Sequence, residues 1–199
     1  MALPKYPKLL TIETELGRAF SSLVEQLSSD FSEDNNHIRL YLVGGMAMHL
    51  YIGDCRTTSD VDLFSDARVV LRNGLFAEYR THSGEDAVLY VDACYSPSLG
   101  LLHPDYAEDA VPLRLLSNRP FVYALHPVDL ALTKISRFGE TDRNDIALLS
   151  QHGLMSPEDL KTRAEEAMDY YVGNMRWLRL NLNDAVDIVA ENMPYYDGR

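Results

Sequence analysis

Two aspartates separated by one valine, Asp60 and Asp62 in YLVGGMAMHLYIGDCRTTSDVDLF (residues 41–64), are the residues of this chain best suited to do chemistry. On a strand, residues two apart point to the same face, so both carboxylates would share one side. Like charges so placed repel, and taking either out of water is costly without a counter-charge. A divalent cation removes both penalties. Mg²⁺ prefers hard oxygen ligands and is typically held by one or two carboxylates plus substrate phosphates. Upstream, Gly44-Gly45 end an apolar run and precede a short helical pattern. Glycines there let the backbone approach a ligand closely, and the N–H groups that open a helix face an anion. The combination reads as a phosphate cradle beside a metal site. The plainer alternative makes the glycines a tight turn, Asp60 a cap, and Asp62 an exposed residue on an edge strand.

These residues need elements to position them. Ile12, Leu16, Phe20, Leu23, Val24 and Leu27 follow helical spacing, and the polar stretch SSDFSEDNNH ends that helix. Ile38–Val43 reads as a buried strand, Met46–Ile52 as a short helix, Val61–Phe64 as a strand and Asp66–Asn73 as another helix. The β-formers of AVLYVDACY, within residues 86–95, predict a third strand, residues 96–110 a loop, and Val111–Leu116 and Pro120–Leu125 short strands. After His126 the texture becomes helical. Pro127 suits a first helical turn leading into VDLALTKISRF, and Asp142–Gln151 forms a second helix with Gly153 as its C-cap. Ser156-Pro157-Glu158-Asp159 opens a third, with Ser156 as N-cap, and helical periodicity runs on to about Glu191. The expected fold class is α/β (α+β): a small mixed sheet flanked by helices over residues 1–125, then a helical subdomain over 126–199.

The 199 residues suffice for one domain with an appendage or two small ones, and no repeat is visible. Cys55 and Cys94 make neither a disulfide framework nor a zinc spacing. MALPKYPKLLTIE lacks the apolar core of a signal peptide, and no run approaches a membrane span. The expected setting is the cytoplasm, without a membrane partner. A net charge of −12 argues against a general nucleic-acid coat, while leaving room for a local, cation-filled site.

Gly44-Gly45 followed by RTTSDVDLF resembles the polymerase-β-type nucleotidyltransferase superfamily, whose motif is hG[GS] (h hydrophobic) followed by a Dx[DE] strand. Within it, the arginine and hydroxyl residues before the acids are most similar to the AbiEii/AbiGii abortive-infection nucleotidyltransferase toxins and their small relatives. HPVDLALTKISRFGETDRNDIALL is similar to that family's helical motif, with a lysine, an arginine and then D-x-x-D. The matches span residues 38 to about 165.

The resemblance implies a nucleotidyltransferase core whose Gly44 and Gly45 hold a nucleoside triphosphate and whose Asp60 and Asp62 bind Mg²⁺, two ions with Mn²⁺ as a substitute. It implies Asp92, in LYVDA, as a third acid that ligates metal and helps deprotonate the incoming hydroxyl. Lys134 is implied to contact phosphate, and Asp142 and Asp145 match the D-x-x-D, Asp145 as the functional member. Met46 follows Gly45 where many members place a serine or threonine, and Thr57, Thr58 or Ser59 is the substitute on offer. Arg56 either clamps the triphosphate with its planar fork or neutralises Asp54 and Asp60. Lys134 and Arg137 either meet the nucleotide or form surface pairs with Glu140 or Asp142.

Among the histidines, His49 reads as packed or exposed, and His82, His103 and His126 as isolated. Tyr170, Tyr171, Tyr195, Tyr196 and Trp177 read as core or interface rather than as base-stacking residues. The expected activity is Mg²⁺-dependent transfer of a nucleoside monophosphate from an NTP to a hydroxyl of a tRNA 3′ end or a protein. The implied context is the toxin of a toxin–antitoxin or phage-defence pair, with a cognate antitoxin as partner. Two alternatives stand beside it: a small-molecule nucleotidyltransferase of the aminoglycoside or lincosamide kind, and a catalytically inactive nucleotide-binding module.

Overall fold

The computed structural model describes residues 12–28, 38–53, 58–65, 67, 69, 74–92, 95–96, 100–113 and 121–194. The described chain divides into two units: a sheet unit of residues 12–95 and 110–125, and a helical unit of residues 96–109 and 126–194.

The sheet unit opens with α1 (Glu15–Ser28), whose Leu16, Ala19, Phe20, Leu23, Val24 and Leu27 are buried at the predicted spacing. The helix begins three residues later than its periodicity suggests, because Thr14 Oγ1 accepts the Gly17 N–H and closes the first turn there. Strand β1 (Leu40–Val43) is buried throughout. It runs directly into α2 (Gly44–Ile52), so both glycines belong to the helix's first turn rather than to a break before it. Strand β2 (Asp60–Ser65) includes both aspartates.

Strand β3 (Phe76–Arg80) has no counterpart in the sequence reading. It forms a hairpin with β4 (Asp86–Asp92) through a turn with Gly84 at φ 82°. Two short strands complete the sheet, β5 (Val111–Pro112) and β6 (Val122–Ala124), in the order β3-β4-β2-β1-β6-β5. The sheet is mixed: β1 pairs antiparallel with β2 and parallel with β6, while β2 pairs parallel with β4. Helix α2 packs on β1 and β2, and α1 on β3 and β4. The predicted helix over 66–73 lies outside the described residues apart from 67 and 69, and the polar stretch after α1 lies outside them from residue 29.

The helical unit includes a short helix, α3 (Tyr106–Asp109), inside the segment predicted to be loop. At its centre is α4 (Pro127–Ile135), buried on nearly every side, with α5 (Glu140–Gln151), α6 (Pro157–Met168) and α7 (Met175–Asn192) packed against it. Helix α4 stops short of the predicted Phe138. That residue takes φ 50°, its N–H bonds the Lys134 carbonyl, and Arg143 lies 4.6 Å over its ring. The Ser156 cap is realised as a reciprocal pair: Ser156 Oγ accepts from Asp159 N at 3.1 Å, and an Asp159 carboxylate oxygen accepts from Ser156 N at 3.1 Å. The final helical stretch is two helices rather than one. Asn174 restarts the chain as N-cap, its Oδ1 accepting from Arg176 N and Trp177 N. Among the described residues no helix is long and apolar enough to cross a membrane.

Candidate active site

The sheet unit gathers the predicted acids by register. Asp62 is paired with Asp92 across the parallel β2–β4 ladder, and Asp60 with Tyr90. Directly paired residues face the same side of a pleated sheet. Asp60, Asp62 and Asp92 therefore share one face. The alternation along β2 leaves Asp60 exposed and Asp62 half-buried around a fully buried Val61, so the pair is less enclosed than an apolar strand suggests. The residues of the opposite face, Val61, Leu63, Ala77 and Leu89, are in the core.

Gly44 owes its identity to Asp62. Its φ is 66°, and a Cβ placed there would stand 1.8 Å from a carboxylate oxygen of Asp62. The Asp62 carboxylate thus lies against the first residue of α2, where the helix carries partial positive charge. A Cβ on Gly45 would stand 2.7 Å from Thr58 Oγ1 and 2.9 Å from Thr58 Cβ. The two glycines are the near wall of the site because the acid and the threonine occupy the space their side chains would need. Thr58 Oγ1 in turn donates to the Asp60 carbonyl at 3.2 Å and accepts the Asp60 N–H at 3.4 Å, while Ser59 is exposed. Arg56 and Thr57 lie outside the described residues, as do Cys55, Cys94, Tyr195 and Tyr196.

Two tyrosines that the sequence reading passed over hold this segment. The Tyr79 hydroxyl donates to the Thr58 carbonyl at 3.1 Å, and the Tyr90 N–H donates to the Ser59 carbonyl at 2.8 Å. Burial pushes the Tyr79 phenol above its ordinary pKa, so it remains a donor at neutral pH. The signal for β3 is present in FAEYR: apolar and polar residues alternate over Ala77–Arg80, between two turn glycines, Gly74 and Gly84.

Lys134, Arg137, Asp142 and Asp145 stand in the helical unit, already paired. Lys134 Nζ donates to Asp145 at 2.7 Å, both side chains being buried. Arg137 grips Asp142 with two bonds of 2.9 and 2.7 Å, the Asp142 side chain 2% exposed and that of Arg137 79% exposed. Burial raises the Asp142 pKa, but hydrogen bonds from Arg137 and the Gly139 N–H, with the charges of Arg137 and Lys134, outweigh it and hold the carboxyl below its usual range. Of the two pairings offered as the alternative to a nucleotide contact, Arg137 makes the one with Asp142, whereas Lys134 pairs with the buried Asp145. A third pair, unforeseen, joins α6 to α4 and α3: Arg163 donates to both oxygens of the buried Asp129 at 2.9 Å and reaches Asp109 at 2.8 Å.

The histidines are less isolated than their spacing suggests. His49 is buried and bonded to Thr14 Oγ1 at 2.7 Å, and His126 accepts the Val128 N–H to cap α4. His103 is buried with Nε2 3.2 Å from Glu166, while His82 is exposed in the β3–β4 turn. Tyr170 and Trp177 are not core residues: 68% and 63% exposed, they flank the start of α7.

Among the described residues no three His, Cys, Asp or Glu side chains converge closely enough to hold a metal ion. The donor set on the sheet face is nonetheless of the right kind: carboxylate oxygens, two on one strand and one in register beside them, suit a hard divalent cation that completes its shell with phosphate and water.

Residues 18–188 match the family described as "Nucleotidyltransferase of unknown function (DUF6036)", and the chain belongs to that family. The crystal structure of an antigenic nucleotidyltransferase-like protein from Paracoccidioides brasiliensis is similar to this chain at 19% identity and a TM-score of 0.44, over 87% of this chain and 93% of that one. No curated protein matches the chain.

Proposed function

We propose that this member of the nucleotidyltransferase family transfers a nucleoside monophosphate from an NTP to an acceptor hydroxyl, releasing pyrophosphate. The observation that carries the reading is the register: Asp62 beside Asp92, with Asp60 two residues earlier on the same face, next to a helix that starts at a glycine pair. Asp60 and Asp62 would hold Mg²⁺, or Mn²⁺ in its place, and Asp92 would join them. When bound, the ion neutralises charge developing on the phosphoryl oxygens and lines up the attacking and leaving oxygens.

The chain's own groups do the rest. The N–H groups opening α2 at Gly44 and Gly45 receive the triphosphate. Asp92 accepts the proton of the acceptor hydroxyl as its oxygen bonds to the α-phosphorus and the bond to the β-phosphate oxygen breaks. Arg56, Thr58 and Ser59, which precede β2 in the sequence, are the nucleotide-binding residues of this reading. In the helical unit, Lys134, held by Asp145, and Arg137 are the residues that the family resemblance implies as phosphate contacts.

The similarity of RTTSDVDLF and of the lysine–arginine–D-x-x-D segment to abortive-infection toxins supports a tRNA 3′ end or a protein as acceptor, and a neighbouring antitoxin as partner. One observation favours a small hydroxylated acceptor instead. Asp60, Asp92, Glu78 and Asp86 are all exposed on the acid-bearing face, and a polyanion approaching it meets repulsion.

The test is incubation with labelled NTPs and Mg²⁺ against total tRNA, and separately against a panel of aminoglycosides and lincosamides. Asp60→Ala and Asp62→Ala should each slow transfer by on the order of a thousandfold or more. Absence of metal-dependent NTP binding by the wild type would sink the enzymatic reading. Full transfer by both variants would sink the site assignment alone.

A further inference from the structure

Next to the acid row, on the same face of the sheet, stand two large aromatic side chains that no core covers. Tyr90 is 50% exposed and Phe76 49% exposed, whereas the strand aromatics Tyr41 and Phe64 are buried and Tyr79 and Tyr123 half-buried. Register explains their position. Asp60 pairs with Tyr90 on β4, and Tyr90 pairs with Phe76 on β3. The three side chains therefore form one row across neighbouring strands about 4.8 Å apart. The two rings lie with centroids 6.2 Å apart, inclined at 44°. Each ring leaves about half of its surface in water, and a ligand that covers the rest gains the stabilisation of removing that apolar area from solvent.

Charge selects what covers them. Among the described residues, the charged side chains of this face are Asp60, Asp62, Glu78, Asp86 and Asp92, with Arg80 bound to Asp86 at 3.4 Å. A phosphate could not settle among these carboxylates without a cation, whereas an uncharged ring with a π-face can. Position narrows it further. The helix N–H groups at Gly44 lie on the β1 side of Asp62, and the rings lie on the β4 and β3 side of Asp60. A triphosphate held by α2, with its reacting phosphate at the acids, directs its nucleoside toward the rings.

We propose that Tyr90 and Phe76 form the nucleobase platform of this site, stacking the base of the donor NTP. The inference rests on the functional reading given above and adds to it the residues that hold the base. Stacking reads a π-face rather than hydrogen-bonding edges, so the platform discriminates little among the four bases, with purines favoured by their larger rings. Its contact is held rigidly, because the Tyr90 backbone is tied to Ser59 and paired to β3 independently of its ring.

The experiment compares two probes in Mg²⁺: non-hydrolysable ATP and CTP analogues, and inorganic tripolyphosphate, which has no base. Tyr90→Ala and Phe76→Ala should weaken binding of the analogues by roughly five- to 150-fold and leave tripolyphosphate binding unchanged. Tyr90→Phe should bind both as the wild type does, because only the ring is used. Both side chains are half exposed, so the alanine variants retain the fold, which a circular dichroism melt verifies. Analogue binding unchanged in both alanine variants overturns the platform while the nucleotidyltransferase reading stands. Unchanged analogue binding with a raised KM for the acceptor likewise overturns it, because the rings would then hold the acceptor. A wild type that binds neither probe overturns the functional reading and the platform with it.

Discussion

At the scale of single residues, the site depends on space as much as on charge. Gly44 and Asp62 compete for one volume, and the chain resolves the competition by omitting a side chain. Gly44→Ala should therefore be destabilising on two grounds, the clash with Asp62 and a left-handed backbone that a Cβ disfavours by about 1–2 kcal/mol. Adding Asp62→Gly removes the clash and leaves the backbone term. The double variant should be more stable than the sum of the two single effects predicts, by more than about 0.5 kcal/mol, as read from urea midpoints; strict additivity would show that Asp62 moves aside freely. The acid pair and the glycine pair were legible in the sequence because each breaks a local rule. Tyr79, Tyr90 and Phe76 were not, because an aromatic residue in a strand is ordinary there; only register reveals that these particular ones sit beside the acids.

At the scale of elements, the helical unit is pinned by ion pairs between neighbouring helices. Lys134 on α4 and Asp145 on α5 are both buried, and removing one takes from the other the opposite charge 2.7 Å away. Lys134→Met should destabilise the protein by about 3–5 kcal/mol, with Lys134→Met/Asp145→Leu regaining much of it, both measured by urea denaturation. A double variant as unstable as the single one would mean that the pair itself is not what Lys134 contributes. The periodicity of α1, α5 and α6 was plain in the sequence, as was the Ser156 cap, because these are short-range signals. Strand β3 and the break between α6 and α7 were not. The hairpin depends on a short alternation, Ala77–Arg80, that does not stand out, and the break on Gly173-Asn174, a stop-and-restart signal overshadowed by the helical periodicity on either side.

At the scale of the whole molecule, charge sets the response to pH. A net charge of −12 at pH 7 opposes compactness, and that repulsion fades as pH falls toward the isoelectric point near 4.8. Asp142 works in the opposite direction at lower pH. Its folded pKa lies below the unfolded value of 3.8, so its contribution is fully present above 3.8 and is lost as pH falls through the folded value. Thermal melts across pH should show Tm rising modestly from pH 8 toward 5, then dropping below about pH 4. Asp142→Asn should flatten the acid limb of that curve. An acid limb identical to the wild type's would assign the loss to other carboxylates.

The contest between Gly44 and Asp62 also leaves a mark that can be inherited. A lineage that keeps the acid must keep position 44 bare, whereas one that discards the acid is released from the steric half of that demand. Its residue 44 then answers only to the backbone angle, which asparagine tolerates as well as any side chain does. Read together across relatives, positions 44 and 62 become a record of ancestry: a side chain at the first marks a descendant in which the second has ceased to serve.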